Sequence, residues 1–250
     1  LRDKEGFALA VLNISDKWKP DLEKEAKIVY GTNDVAHPAV NYLTNISHQV
    51  YLGGKLEGIS YPHHYDYQYD RHTPQELKSF FLDNGWEKIV AFQTRNPLHR
   101  AHVEMTTRAL KDLNAKLLLH PVVGMTKPGD VDHYTRVRCY KHVMEKYPEN
   151  SVMLSLLPLA MRMGGPREAL WHALIRKNYG CTHLVVGRDH AGPGNDKEGN
   201  AFYGPYDAQE LLIKYQDEIG IEMVPFKFMV FLPQEDRYEA VDKIKKGVEY

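Results

Sequence analysis

The chain lacks several features that would have decided its class at once. Cysteine occurs only twice in 250 residues, at Cys139 and Cys181, and without CxxC spacing. Such a pair makes neither a disulfide framework nor a thiolate metal site. Both are expected as buried, reduced thiols in a reducing compartment, the cytoplasm. No apolar run approaches the roughly 20 residues that cross a bilayer, and the start carries no signal-peptide pattern, so no membrane role is expected. A basic surplus is missing too: 32 Lys and Arg stand against 33 Asp and Glu, a formal net charge of -1. That argues against a general nucleic-acid binder and leaves room for a local basic pocket. There is no GxxxxGK[ST] loop and no GxGxxG fingerprint, which argues against Walker-type hydrolysis and dinucleotide binding. Repeats and low-complexity tracts are absent. So is an initiator Met: the chain opens "LRDKEGFALAVLNI" and closes "DKIKKGVEY", and reads as a segment of a longer protein.

What is present falls into two grammars. Residues 1 to about 65 carry short apolar runs, "FALAVLNI" and "HQVYLGGKLEGI". With Gly53-Gly54 taken as a hairpin turn, this part reads as mostly β. "SYPHHYDYQYDRHTP" has little periodicity and reads as a loop at a domain boundary. From Thr73 the pattern changes. Thr73 at N-cap, Pro74 at N1 and Glu76 at N3 form a capping box that starts a helix. Strands and helices then alternate: "KIVAFQ", "KLLLHPVV", "VMLSLL", "HLVVG" and "EMVPF" are each separated by helical sequence. The strands are continuously apolar, so both faces should be covered by helices. The expected fold is α/β, a doubly wound parallel sheet of nucleotidyltransferase, Rossmann-like type, preceded by a β-rich part. Ligands of such sheets bind beyond the carboxyl ends of the strands.

Two stretches at strand ends carry the chemistry. In "QTRNPLHRAH", Gln93 to Asn96 should end a strand, and His99 and His102 should share a face in the first helical turn. A helix start presents free N–H groups to an anion, and Pro97 costs nothing there. The same histidine pair would also serve as a cap or a polar surface. As a zinc pair it has a poor neighbour in Arg100. In "VVGRDHAGPG", Gly187, Gly192 and Gly194 allow close backbone approach while Arg188 and His190 supply donors. Two such clusters on one parallel sheet converge on a nucleotide-sized pocket. Asp130 and Asp132 read as a solvated turn, and Arg162 and Arg167 as added positive potential or surface.

Together "FQTRNPLHRAH" and "VVGRDHAGPG" resemble the ATP sulfurylase (sulfate adenylyltransferase) family. "HPVVGMTKPGDVD", "LSLLPLAMRMGGPREALWHALIRKNYG" and "FYGPYDAQEL" extend the likeness over nearly the whole chain. The resemblance implies the end of a PUA-like β domain over 1–65, a nucleotidyltransferase domain over 66–233, and the start of a C-terminal subdomain over 234–250. It implies transfer of adenylate from ATP to sulfate, giving adenosine 5'-phosphosulfate and pyrophosphate, in a homo-oligomer. Mg2+ would enter with ATP, with no metal held by the protein. Sulfate would meet Gln93, Arg95 and the N–H of Ala191. Thr94 and Asn96 would orient phosphates, and His99 and His102 would stabilise the transition state. Gly187, Arg188, Asp189, His190 and Met229 would contact the nucleotide, with Phe226 beside it. Two other readings remain: a nucleotidyltransferase with another acceptor, and a nucleotide-binding fragment without turnover.

Overall fold

Gly53 and Gly54 lie inside a strand, not at a hairpin turn, which corrects the expectation from sequence. The computed structural model describes residues 1–126, 129–226 and 229–244. It divides into two units, Leu1–Tyr69 and Asp70–Tyr250. In the first, β1 (Ala10–Trp18) pairs antiparallel with β2 (Tyr51–Gly58), and the register slips between Ile14 and Asp16. A Cβ on Gly54 would stand 2.0 Å from the Asn13 carbonyl oxygen. Only glycine fits so close an approach at a bulge. The chain between the strands is helical: α1 (Leu22–Tyr30), α2 (Pro38–Asn41) and a π turn over Tyr42–Ile46. Asp21 caps α1 and Gly31 ends it in the left-handed conformation. Ala26, Val40 and Leu43 pack this helical segment together, so the unit is mixed rather than mostly β.

The second unit opens with α3 (Pro74–Asp83). The Thr73 N–H donates to the Glu76 carboxylate (2.7 Å) and the Glu76 N–H to the Thr73 hydroxyl (3.3 Å), the reciprocal cap read from the sequence. Then come β3 (Ile89–Phe92), α4 (Arg100–Leu113), β4 (Lys116–Leu119), α5 (His133–Met144) and β5 (Val152–Leu154). They are followed by α6 (Gly165–Asn178), β6 (His183–Val186), α7 (Asp207–Ile219) and β7 (Glu222–Pro225). The five strands form one parallel sheet in the order β5-β4-β3-β6-β7. Every residue of β3 and β6 is buried, because helices cover both faces. Ala91, Leu118, Leu184 and Val186 join Ala169, Ala173 and Leu212 in the main core. Burying each branched side chain here stabilises the fold by roughly 1.5–3 kcal/mol.

Strand order reverses between β3 and β6, which pair directly through Val90 with His183 and Ala91 with Leu184. The loops leaving these two strands part in opposite directions and open a crevice at their carboxyl ends. A further hairpin, β8 (Met229–Leu232) with β9 (Arg237–Ala240), was not anticipated. Arg108 of α4 ties it down, donating to the Tyr238 carbonyl (2.7 Å) and the Glu239 carboxylate (3.2 Å). Residues 245–250 of the expected terminal subdomain lie outside the described residues.

Candidate active site

The loop after β3 is held by its own hydroxyl groups. The Thr94 hydroxyl accepts the Asn96 N–H (3.0 Å) and donates to the Asn96 carbonyl (2.9 Å), which also accepts the Tyr140 hydroxyl (2.9 Å). Thr94 thus fixes the loop that presents Arg95 and Asn96. α4 begins at Arg100 with His99 as N-cap, so Pro97 lies before the helix and not in its first turn as expected. Arg95 donates through Nη1 to the Asp130 carboxylate, and both side chains are largely buried. Asp130 is therefore an ion-pair partner and not a solvated turn residue. Asp132 caps α5 by accepting the Thr135 N–H (2.9 Å).

His99 and His102 do share a face: their rings stack 5.4 Å apart. The backbone N–H of His99 donates to Nδ1 of His102 (3.0 Å). Since a backbone amide only donates, Nδ1 is a bare acceptor and the proton of neutral His102 sits on Nε2. Phe226 stacks on the same ring at 5.8 Å. Burial, and then the neighbouring His99, push the His102 pKa down to about 4, so the ring is neutral near pH 7.

The opposite wall is the loop after β6. Asp189 and Ala191 both adopt positive φ (53° and 54°), as does Met163 (59°) in the loop before α6. Left-handed non-glycine residues cost of order 1–3 kcal/mol each and concentrate at binding sites. The two loops are joined by the Gly165 N–H donating to the Ala191 carbonyl (3.1 Å). The Ala191 N–H itself meets no acceptor among the described residues. Beneath the loop, His190 Nε2 lies 3.0 Å from His172 Nδ1.

Between the walls is a cavity of about 370 Å³, a size that suits a small-molecule ligand. From the β3 side, Gln93, Thr94, Arg95, Asn96 and His102 line it. The β6 loop contributes Gly187, Arg188, Asp189, His190 and Ala191, and Phe226 and Met229 close the end. His99 stands outside this lining, exposed, in a neighbouring depression with Arg100 and Tyr238. Arg162 and Arg167 do not line the cavity either. The Gln93 amide oxygen is buried with no donor among the described residues, a polar atom that a ligand could satisfy. No three His, Cys, Asp or Glu side chains gather as metal ligands among the described residues.

Comparison with known proteins joins this geometry to a family. The ATP-sulfurylase family model matches residues 68–249, and a PUA-like domain model matches residues 1–61. The chain belongs to the ATP-sulfurylase family. It is 57% identical to a sulfate adenylyltransferase of Schizosaccharomyces pombe over 96% of its length and 49% of that protein's. It is 56% identical to one from Phaeosphaeria nodorum, covering 99% of this chain and 43% of the relative. The chain thus spans about half the length of the curated relatives it matches. A solved structure described as a hexameric APS kinase from Thiobacillus denitrificans superposes with a TM-score of 0.73. That match is 26% identical and covers 99% of this chain and 41% of the other.

Within this ATP-sulfurylase unit, two features near the cavity escaped the sequence reading. Asp130 pairs with a residue 35 positions away, and no local pattern reveals that. Glu168, His172 and Arg176 recur every four residues on α6 and all face inward. Trp171 and Leu174 of the same helix are instead substantially exposed.

Proposed function

We propose that the chain carries the site for ATP + sulfate giving adenosine 5'-phosphosulfate + pyrophosphate. The observation that supports this most is the meeting of the two family stretches, from β3 and β6, around one cavity at the switch point. A sulfate oxygen attacks the α-phosphorus in line, the new O–P bond forms, and the bond to the β-phosphate oxygen breaks. Such a transfer is served by positioning and charge stabilisation, with no side-chain nucleophile.

Arg95 presents a planar fork suited to a tetrahedral dianion, with Gln93 and the free Ala191 N–H beside it. Asn96 and the Thr94-held loop orient the phosphates. His102, with its proton on Nε2, donates to the phosphate oxygens where charge develops, and His99 supports that ring. Gly187, Arg188, Asp189 and His190 take the nucleotide, whose flank meets Phe226 and Met229. Mg2+ enters as MgATP. The domain division into 1–65, 66–233 and 234–250, a cytoplasmic setting and homo-oligomeric assembly belong to the same reading. No helix among the described residues is long and apolar enough to cross a membrane.

The test is ATP formation from adenosine 5'-phosphosulfate and pyrophosphate, followed by luminescence. Turnover that disappears in Arg95→Ala would establish both the reaction and the anion clamp. Adenylyl transfer to a bulkier acceptor, with none to sulfate, would reject it.

A further inference from the structure

α6 carries three charged or ionisable residues on its buried face, and two of them lead to the cavity. Glu168 is 3% exposed and His172 is fully buried. Both Glu168 oxygens are engaged: Oε1 accepts the Arg162 N–H (2.9 Å) and Oε2 the Gly164 N–H (2.7 Å). Burial raises the Glu168 pKa, and these two amide donors, one on each oxygen, oppose that rise by favouring the carboxylate. His172 Nε2 stands 3.2 Å from Glu168 Oε1, and its Nδ1 is 3.0 Å from His190 Nε2. His190 lines the cavity. Three groups therefore run in file from a buried acid to the wall of the site.

The His172–His190 contact allows donation either way, and the charge of Glu168 selects between the two. Both rings are neutral: burial, with the Arg176 charge nearby, holds His172 far below its ordinary pKa and His190 at about 3. The angle from His172 Nε2 to Glu168 makes no hydrogen bond, but a lone pair 3.2 Å from a carboxylate oxygen is repelled where an N–H dipole is attracted, so that nitrogen carries the proton. His172 Nδ1 is then an acceptor, and His190 Nε2 must donate to it. Nδ1 of His190 is left as a bare acceptor.

We infer that Glu168 and His172 are positioning residues that lock His190 in its Nε2–H form, so that His190 offers the cavity a hydrogen-bond acceptor through Nδ1. Among nucleotide groups, such an acceptor selects an exocyclic amino group or a ribose hydroxyl over a phosphate oxygen. The identity of the ligand rests on the reading above, whereas the proton arrangement does not.

The test is nitrogen NMR of the chain with isotope-labelled histidine, His190 being assigned by its loss in His190→Gln, together with MgATP binding by calorimetry. His190 is expected to carry its proton on Nε2. His172→Leu should release it toward Nδ1–H and raise the MgATP dissociation constant by about tenfold. His172→Asn, whose amide oxygen can replace the Nδ1 acceptor, should restore both. A wild-type His190 protonated on Nδ1 overturns the inference even if no variant folds. An unmoved tautomer in His172→Leu overturns it as well. If sulfate adenylylation is absent while the tautomer and its release are seen, the reaction assignment fails and the relay stands.

Discussion

Arg95, which lines the cavity, meets Asp130, 35 positions further along the chain: Nη1 of the guanidinium donates to a carboxylate that is itself mostly withdrawn from water. The pair does two opposing things. It holds the guanidinium in place, and it sets a fixed negative charge where a sulfate dianion would bind. At short range and low exposure the repulsion is poorly screened. Asp130→Asn keeps the shape and removes the charge. The KM for sulfate is expected to fall by roughly 3- to 10-fold, read from initial rates at varied sulfate. A rise would mean that orienting Arg95 outweighs the repulsion.

The two histidines at the start of α4 are not equivalent. His102 lines the cavity with its Nε2–H free, while His99 lies outside it and reaches the site through the stack and its backbone N–H. His102→Ala is expected to lower kcat by about 10²–10³-fold with little change in MgATP affinity. His99→Ala keeps the backbone donor and should cost only about 10-fold. Steady-state kinetics on both variants decides this. Equal losses would place both rings against the transferring group.

Acid should destabilise the fold well before its carboxylates titrate. Burial lowers the pKa of His102 to about 4 and that of His190 to about 3, and it holds His120 and His172 far below the usual histidine range. The unfolded chain titrates these groups near pH 6.5 and so binds more protons between that pH and the folded values. Their stabilising contribution is therefore complete above about pH 6.5 and lost as pH falls toward 4. For His102 alone the loss at pH 5 is roughly 1–2 kcal/mol. Melting temperatures should fall steadily from pH 7 to 5, and less steeply in His102→Gln. A flat profile would mean that these rings are not held neutral.

Gly165 has φ of 51°, and an added Cβ would stand 2.4 Å from the Tyr203 ring. Its N–H also ties the loop before α6 to Ala191. Gly165→Ala should cost about 1–3 kcal/mol in denaturant unfolding and weaken sulfate binding as Ala191 shifts. Lost stability with unchanged sulfate affinity would separate the tyrosine packing from the site.

The parts of this fold with local causes were legible in the sequence. The continuous runs of β3 and β6 showed strands covered on both faces, and Thr73 with Glu76 marked the start of α3. The two loops that line the cavity were also readable, because their unusual residues stand beside those runs. What escaped has distant causes. Gly54 is a glycine because the Asn13 carbonyl of another strand leaves no room for a Cβ. On α6 the polar residues Glu168, His172 and Arg176 point inward and Trp171 outward, the reverse of what helical amphipathicity suggests. Those inward groups answer to one another and to His190, a relation that spacing alone does not display.

The pairing of β3 with β6 also sets when the site can exist. Val90 and Ala91 meet His183 and Leu184 only after β4, β5 and their crossover helices have been made. At translation rates of 5–20 residues per second, the second wall leaves the ribosome roughly 5–20 s after the first. A nascent chain that has made only the β3 half presents an arginine and two histidines with no opposing wall. A ligand of this cavity therefore cannot guide the early collapse of this unit. It can stabilise only chains in which the β3–β6 pairing is already complete, which makes ligand-induced protection a report on that long-range step.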